Sequence, residues 1–534
     1  MKSCKGPWGC WFLAAALAVL PAGTATAGHA PSDIDSQAAA VARDATPLVQ
    51  VSESGPLRLT LAGAVIMALE NNRALLVEKL EPQIQDTYID EERAAFDTLA
   101  TGELAMGRSD GQTPTGDGVR DVTDEDAAAV VSLNRLFPAG TTVALEAATA
   151  ISDSSLYRDP FVETAVGLSV TQALLRGSGT AVNTVRLRQA KLDTQISQHE
   201  LKGFGEALVA RVEAAYYNLA LARRQVDIVN ESLRVADQQL AETKQMIEVG
   251  TLAEAELPAV QAEVALQRQA LIAAESERES LRLELLRLLN PPGSTFWDRQ
   301  VELIHPPEVP EIQLAPVADH VAVALRMRPE LRQARLEIER RQLEVVQTQN
   351  GLLPRLDLFV NLGKTGFADS FSRSAESIDE RHYTLQAGLE LAYPPANRAA
   401  QARHRRARLQ EQQAEKALAN LRQLVEMDVR RAHIEVHRAH RQIAASTATR
   451  RFQEEKARIE AEKFRVGRST NFLVAQAQRD LLSSRIAEVR AVVDYLNALT
   501  DLFRLDGSLL ARRGLTVVSD GPDQAPSPTV EAPD

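Results

Sequence analysis

Three histidines have a spacing that could serve a metal ion. His433, His437 and His440 stand at i, i+4 and i+7, so a helix would place all three along one face. Imidazole nitrogens gathered in this way can bind a transition metal. No cysteine and no well-placed carboxylate completes the set. The favoured interpretation is therefore a polar helix face, solvated or between helices, with a metal site as the alternative.

Two Val-Gly pairs mark an internal duplication of the chain. Gly250 and Gly467 lie 217 residues apart, and QMIEVGTLAEAELPAVQAEVALQ around the first is echoed by EKFRVGRSTNFLVAQAQRDLL around the second. Such self-similarity indicates one structural unit present twice. Glycine adopts the left-handed conformation needed past a helix end, so each pair predicts a reversal between two antiparallel helices. Two unbroken helices, each with one tolerated glycine, are the alternative.

Long helices of the coiled-coil type are predicted on both sides of each glycine. Apolar residues recur every seven positions in segment 212–247, with small residues three positions later, and this period favours a left-handed supercoil. A returning apolar pattern occupies 257–288. The second copy repeats both patterns in 429–443 and 482–503. A helix over about residues 181–249 would be on the order of 100 Å long.

Between the helices the hydrophobic period changes to two, which predicts strands. These lie at about 98–172 in the first copy, around a Pro138-Ala139-Gly140 turn, and at about 356–393 in the second. Alternating segments of about ten residues are typical of outer-membrane barrels, although a soluble β-sandwich would produce them too. With two strands per copy we expect four per chain. A barrel needs at least about eight, so several chains must contribute.

The composition and the amino terminus indicate an exported, mainly helical protein. Of the 534 residues only 4% are aromatic, and the formal net charge is −12, which argues against a nucleic-acid partner. Two lysines precede an apolar run from Trp11 to Leu20, about half the length that a spanning helix needs, and small residues end at Ala27. A cleaved signal peptide is therefore predicted at 1–27. Both cysteines, Cys4 and Cys10, lie inside it.

The remaining organisation follows from these patterns. No later segment is apolar enough for a transmembrane helix, and no nucleophile-triad, Walker, Rossmann or zinc-protease motif is present, so we expect neither an enzyme nor a cofactor. The predicted divisions are a signal peptide (1–27), a flexible segment (28–56), a first repeat (57–290), a linker or equatorial segment (291–315), a second repeat (316–506) and a disordered acidic, proline-containing tail (507–534).

From about Leu57 to Leu505 the chain resembles the TolC family of outer-membrane efflux and secretion channels. The motifs that carry the resemblance are LAGAVIMALENNRALL, GLSVTQALLRG, ALRMRPELRQARLEIE followed by LLPRLDLFVNLG, and the two Val-Gly turns with AVQAEV and VAQAQRDL. The resemblance implies a homotrimer in which each subunit gives four strands to a shared twelve-stranded outer-membrane β-barrel. Long antiparallel coiled-coil hairpins would continue this barrel as a periplasmic α-helical tunnel.

The same resemblance implies a passive exit duct of a tripartite efflux or type I secretion system. Its partners would be outer-membrane lipid, a periplasmic adaptor protein and an inner-membrane pump of the RND, ABC or MFS type. The alternative is a periplasmic coiled-coil adaptor or scaffold that binds such a channel without forming the pore. Adaptors with one helical hairpin fit the duplicated pattern poorly.

In this family the glycine turns lie at the periplasmic tip, where the gate and the adaptor-docking surface are expected. Family members often place acidic residues after the second glycine, but this chain has Leu473 and Gln476 there. We therefore predict that Glu254 and Glu256 supply the tip charge, paired in the closed state with an arginine of the neighbouring hairpin. Ordinary solvated charges are the alternative. The predicted tip residues are Val249, Gly250, Glu254, Glu256, Arg465, Val466, Gly467, Arg468, Leu473 and Gln476.

Overall fold

The computed structural model describes residues 55–515 except 117, 156–158, 294–295, 305, 311–312 and 379–381. The predicted signal peptide and the tail beyond residue 515 lie outside the described residues. The prediction of disorder from residue 507 onward is wrong for its first part, because Leu509–Arg512 is a helix whose leucines are buried and Arg513 bonds to the buried Glu213. No helix in the described part of the chain is long and apolar enough to cross a membrane.

The first half of the described chain contains short helices, four strands and a helical pair. In chain order these are β1 (Leu57–Leu59), α1 (Leu61–Asn71), α2 (Arg73–Glu78), α3 (Glu81–Ala94), β2 (Thr98–Thr115), β3 (Gly118–Leu136), β4 (Thr141–Ser154), β5 (Phe161–Ala173), α4 (Thr180–Asn183), α5 (Val185–Glu248) and α6 (Leu257–Leu289).

The second half has the same order with fewer strands. Its elements are β6 (Val301–Leu303), α7 (Val317–Met327), α8 (Pro329–Asn350), β7 (Arg355–Ala368), α9 (Phe371–Ser377), β8 (Thr384–Ala392), α10 (Arg398–Arg465), α11 (Asn471–Leu505) and α12 (Leu509–Arg512). The halves are joined through a parallel pairing of β1 with β6.

The long helices form two antiparallel hairpins, α5 with α6 and α10 with α11. Along α10 the ion-pair partner moves back along α11, from Glu488 opposite Arg450 to Asp480 opposite Lys456, at 2.7 and 2.8 Å. The heptad positions explain the close packing, since the small residues three places after each apolar seam residue of α5 are all buried. At 1.5 Å per residue, the 64 residues of α5 span about 96 Å.

The six long strands form one antiparallel sheet in the order β2-β3-β4-β5-β7-β8. The expectation of four strands per chain is therefore wrong. The first half contributes four strands and the second half two. The physical reason is that the Pro138-Ala139-Gly140 turn joins two full-length strands, β3 and β4, whose weak alternation also fits a loop excursion between two outer strands.

The two faces of this sheet differ in chemistry. One residue from each strand in a single row of the register has an apolar side chain: Ala100, Leu133, Leu145, Leu168, Leu362 and Leu385. The adjacent row, which points to the opposite face, is polar or glycine: Thr101, Ser132, Glu146, Gly167, Gly363 and Thr384. We call these the apolar face and the polar face.

Buried charges tie the middle of α5 and the end of α11 to neighbouring segments. Glu213 of α5 is fully buried and accepts a hydrogen bond from the Thr500 hydroxyl at 2.7 Å and two from the Arg513 guanidinium at 2.7 and 2.9 Å. His320 and Asp506 form a second buried pair, with Nδ1 and Oδ2 2.8 Å apart. Losing one partner would leave the other buried without compensation, which makes these contacts structural.

Glu206 of α5 is a third buried carboxyl, and it has no such partner. Its side chain is 3% exposed, and Oε1 accepts no hydrogen bond from the described residues. Burial raises the pKa of Glu206 from 4.5 to about 7, and the nearby Glu330 and Asp506 add to the rise while Lys202 and Arg504 oppose it. In the folded protein Glu206 is therefore mainly protonated below about pH 7.

This pKa predicts a pH-dependent stability. Between the unfolded pKa of 4.5 and the folded value of about 7 the folded state holds a proton that the unfolded state has released, so stability falls as the pH rises. At about 1.4 kcal/mol per pKa unit, the free energy of unfolding falls by about 3 kcal/mol by pH 8. We expect Glu206→Gln, which cannot ionise, to raise the unfolding temperature in detergent at pH 8 and to leave it unchanged at pH 4.5. An equal shift at both pH values would contradict the prediction.

Candidate functional site at the helical tips

The two helix reversals have the same backbone geometry. Gly250 and Gly467 adopt φ values of +77° and +72°. In the first turn the Gly250 amide donates to Ile247 O at 3.0 Å and the Thr251 amide to Met246 O at 2.9 Å. In the second, the amides of Gly467 and Arg468 donate to residues three and five positions earlier, at 2.9 and 2.8 Å. Both turns are Schellman motifs, which is why glycine occupies both positions.

After the turns the two copies differ. In the first copy a short 3-10 helix, Glu254–Glu256, precedes α6, and Pro258 lies in the first turn of α6. In the second, α11 begins directly at Asn471, capped by the Thr470 hydroxyl, which accepts a hydrogen bond from the Leu473 amide at 3.4 Å. The two extra residues of the first copy are therefore accommodated in the 3-10 turn.

A buried asparagine connects the two hairpins just behind the turns. Asn471 is 3% exposed, and its Oδ1 accepts hydrogen bonds from Gln239 Nε2 at 3.2 Å and Thr243 Oγ1 at 3.4 Å. Its Nδ2 donates to Glu256 Oε2 at 3.2 Å. One amide side chain of α11 thus holds α5 and the start of α6. We call Asn471, Gln239, Thr243 and Glu256 the tip network.

A cleft of about 110 Å³ continues from the tip network between α5, α6 and α11. Glu263 lies on its wall and forms an ion pair with Arg479 at 3.0 Å. Gln267 donates to the other Glu263 oxygen at 2.8 Å. The Glu263–Arg479 ion pair joins α6 to α11, so the first hairpin and the returning helix of the second meet through polar groups as well as through small apolar residues.

The four predicted tip charges differ in their exposure and in their hydrogen-bond and ion-pair partners. Glu256 lies in the tip network, whereas Glu254 is exposed. Arg465 pairs with Glu462 of its own helix at 3.2 Å, and Arg468 is exposed. Within the described chain, neither glutamate forms an ion pair with either arginine. A Glu–Arg lock can therefore form only between subunits or in another state, and it stays a prediction.

Large apolar side chains are exposed around both turns. Val249, Val466, Phe472 and Leu473 are between 44% and 69% exposed. The predicted residue Gln476 is also exposed, one turn further along α11. Apolar side chains clustered at the end of a helical hairpin are typical of an interaction surface. The tip thus combines a rigid polar network inside with an apolar outer surface.

Two of the three histidines contact other helices, and His437 contacts His433 on its own helix. His433 has Nε2 3.2 Å from Ala315 O, and its ring lies 6.0 Å from that of His320 on α7 and 4.7 Å from that of His437. The ring of His440 lies 5.3 Å from Tyr495 of α11. In the part of the chain that the structure describes, no group of three or more metal-ligating side chains is arranged to hold a metal ion.

Sequence reasoning missed Asn471, Gln239, Thr243 and the Glu263–Arg479 pair. One signal was available, because Thr243 occupies a seam position of the heptad pattern that is otherwise filled by alanine or valine. A buried hydroxyl in a seam requires a partner from another helix. Its partner, Asn471, lies 228 residues away in the chain, and no local pattern indicates it.

The comparisons with known proteins agree with this architecture. Residues 321–508, within the second half, match the outer membrane efflux protein family. The fold is similar to that of the outer-membrane channel OprN, with a TM-score of 0.64 and 18% identity over 84% of this chain and 89% of that one. It is also similar to the CmeC outer membrane channel of Campylobacter jejuni, with a TM-score of 0.63 and 14% identity over 84% and 86%.

CusC, whose structures concern folding and transmembrane channel formation, matches with a TM-score of 0.63 and 15% identity over 86% of this chain and 95% of that one. No curated protein is close enough in sequence to be matched to this chain. The resemblance to the TolC family that the motifs indicate is thereby confirmed.

The tip network yields a prediction for Asn471→Ala. The substitution leaves the buried Thr243 hydroxyl and the Glu256 carboxylate without their amide partner, which would cost about 1–3 kcal/mol locally. We expect faster amide hydrogen exchange at both glycine turns, with the helix ends next to the sheet unchanged. Gln476→Ala, an exposed position on the same helix, is the matched control and should exchange at the wild-type rate. Equal exchange in the two variants would contradict the role assigned to Asn471.

Proposed function

We propose that this chain is one subunit of an outer-membrane channel, the passive exit duct of a tripartite efflux or type I secretion system. The sheet would cross the outer membrane, and the two helical hairpins would extend into the periplasm as part of a tunnel. Support comes from the match of residues 321–508 to the outer membrane efflux protein family and from the similarity of the fold to outer-membrane channels.

The observation that carries the proposal is the chemistry of the six-stranded sheet. On the apolar face, large side chains such as Leu104, Leu133, Leu145, Leu362 and Leu389 are between 41% and 65% exposed. A soluble sheet would cover such a face with helices or a second sheet. An exposed apolar face opposite a polar face is the pattern of a barrel wall, with lipid outside and water inside.

The two open edges of the sheet require more than one copy. Within the described residues β2 pairs only with β3, and β8 only with β7. In hydrocarbon an unpaired edge would leave backbone amides and carbonyls without partners. Since six strands are fewer than the smallest membrane barrels contain, the edges must pair with those of other copies, and we propose a homotrimer.

The tips are the proposed site of gating and adaptor docking. The exposed apolar residues Val249, Val466, Phe472 and Leu473 would contact a periplasmic adaptor protein, which would in turn bind an inner-membrane pump. The polar contacts between the hairpins would have to rearrange if the tunnel opens at this end. No chemistry is required of the duct itself, because substrate movement would be driven by the pump.

A periplasmic adaptor or scaffold is the competing function. Such a protein would present helical hairpins and remain soluble, so its sheet would be covered. The exposed apolar face of this sheet disfavours that alternative.

The proposal predicts an oligomeric protein in the outer membrane. We expect the chain to fractionate with outer membranes, to change its gel migration on heating and to have the mass of three chains after detergent extraction. These properties follow because a closed barrel with fully paired strands resists detergent until it is heated. A soluble monomer in the periplasmic fraction would refute the channel and favour the adaptor.

The tip-charge hypothesis is tested with Glu256→Gln, Arg468→Gln and the double variant. Glutamine at 256 retains an oxygen that can accept the hydrogen bond from Asn471 Nδ2, so the substitution removes charge and spares the tip network. If a Glu–Arg lock closes the trimer, each single variant should raise the open probability in planar bilayers, and the double variant should add little to either. Glu275→Gln, at an exposed position of α6 away from the tip, measures any general effect of charge. Unchanged conductance in all variants would exclude the lock.

A further inference from the structure

The number of strands in the sheet bears on the width of the pore. We propose that the outer-membrane barrel of this protein contains eighteen strands, six from each of three chains, in place of the twelve that the family resemblance implies. This inference rests on the proposed trimeric channel and adds the width of its membrane section. The partner at each sheet edge is a second copy of this chain.

The additional strands are β3 and β4. In the second half a single hairpin, β7 with β8, connects α8 to α10, whereas in the first half β2, β3, β4 and β5 lie between α3 and α5. The segment AVGLSVTQ of β5 resembles QAGLELAY of β8, and each directly precedes a long helix. β2 and β5 thus correspond to β7 and β8, and the two strands between them have no counterpart in the second half.

β3 and β4 have the chemistry of wall strands. Val131, Leu133 and Leu145 of these strands lie on the apolar face, in the same register rows as Val166 and Leu168 of β5. On the polar face, Ser132 lies opposite Glu146 and pairs with the Thr101 hydroxyl at 2.7 Å. A hairpin projecting into water would not need large apolar side chains on the same face of both strands.

Their hydrogen bonding is continuous with that of the neighbouring strands. β3 pairs with β2 from Gly118 to Arg135, and β4 pairs with β5 from Thr141 to Ser152. Both ladders exceed the nine to eleven residues, roughly, that a strand needs to cross the hydrocarbon layer. Displacing the β3–β4 hairpin from the wall would break two complete ladders in a medium that offers no replacement partners.

The turn between β3 and β4 is anchored at the junction of the sheet with the helices. Asn183 Nδ2 donates to Pro138 O at 3.0 Å and to Gly177 O at 2.8 Å, and the Ala173 amide donates to Gly140 O at 3.0 Å. Gly140 has φ +89°, and a Cβ added there would lie 2.3 Å from Gly177 O. The backbone of the turn therefore packs directly on the junction, which holds both strands in the wall.

The free edges run in opposite chain directions, and β8 is half as long as β2. Three residues separate the end of α3 from β2, and five separate β8 from the start of α10, so both edges reach the helical end of the sheet with opposite chain directions. The nine residues of β8 correspond to the lower half of β2, which carries Ala100 and Leu104 on the apolar face. An antiparallel β8–β2 contact between neighbouring copies would therefore continue both faces of the wall.

Eighteen strands change the dimensions of the pore. With strands about 4.8 Å apart and tilted by about 40°, a closed wall of eighteen has a backbone diameter of about 36 Å, against about 24 Å for twelve. Barrels of sixteen to eighteen strands enclose a water-filled channel. The membrane section would then be about 1.5 times as wide as a twelve-stranded barrel, and the narrowest point of the duct would lie in the helical part.

The test is a cysteine cross-linking series across the sheet edge. The only cysteines of the chain are Cys4 and Cys10, outside the described residues. Ala100→Cys on β2 is combined in turn with Leu385→Cys, Ala387→Cys and Leu389→Cys on β8, all on the apolar face. Disulfides form only when the Cα atoms approach to within about 7 Å. We expect one register to yield a covalent ladder that ends at three chains on a non-reducing gel.

Matched controls place Ala147→Cys on β4 with the same three β8 positions, and these should give no cross-link. Efficient β8–β4 cross-linking, direct cross-linking of β2 to β5 between Ala100→Cys and Leu168→Cys, which β3 and β4 separate in this sheet, or a ladder that ends at two chains would mean twelve strands and would overturn the inference while leaving a channel. Absence of both β8–β2 and β8–β4 cross-links would count against a closed wall and hence against the proposed function. Electron cryomicroscopy of the wild-type protein in nanodiscs provides a measurement that needs no variant, with eighteen strands expected in the wall and twelve refuting the proposal.

Discussion

The constraint on which the proposed assembly depends is the need to pair every backbone amide and carbonyl of a sheet that lies in hydrocarbon. The six strands satisfy each other internally, but β2 and β8 each present one unpaired edge. Strand number, oligomeric state and pore width are then linked, because closure by identical copies gives multiples of six. The helical hairpins do not face this constraint, since their backbone hydrogen bonds are internal to each helix. In the proposed assembly, side-chain packing alone can therefore hold the hairpins together outside the membrane.

The helical part depends on a different rule, the close approach permitted by small seam residues. Alanine, valine and threonine at every second seam position of α5 bring the neighbouring helices near enough for polar side chains to meet, and Thr243 reaches Asn471 in this way. Each polar contact between the hairpins is buried or half-buried, so breaking one without replacing it carries a desolvation penalty. The same packing that makes the hairpins rigid thus gives the tip discrete polar contacts whose exchange could accompany a change of state.

Much of the fold could be predicted from the sequence, and the exceptions have physical causes. The helices and both reversals follow from seven-residue periodicity and from glycines that need positive φ, signals that are local and repeated. The predicted number of strands was too low because β3 and β4 alternate weakly, with alanine at many positions of both faces, as at Ala128 and Ala129. The tip network could not be predicted from the sequence for another reason. Asn471 and Thr243 are distant in sequence, and only the packing of two hairpins brings them together.

The extra hairpin also indicates how a barrel can widen without its tunnel doing so. Each of β2, β5, β7 and β8 connects to a helix at the helical end of the sheet, so adding a strand of this kind would also add a helix. β3 and β4 instead meet in the Pro138-Ala139-Gly140 turn, which ends at the junction and packs on Gly177 and Asn183. In the proposed barrel the wall would gain two strands per chain while the number of long helices stays at four in the described chain. Because the turn contributes only backbone at its closest contact, the junction would accommodate it without enlarging the proposed ring of helices, and the step in diameter would fall at the level of this turn.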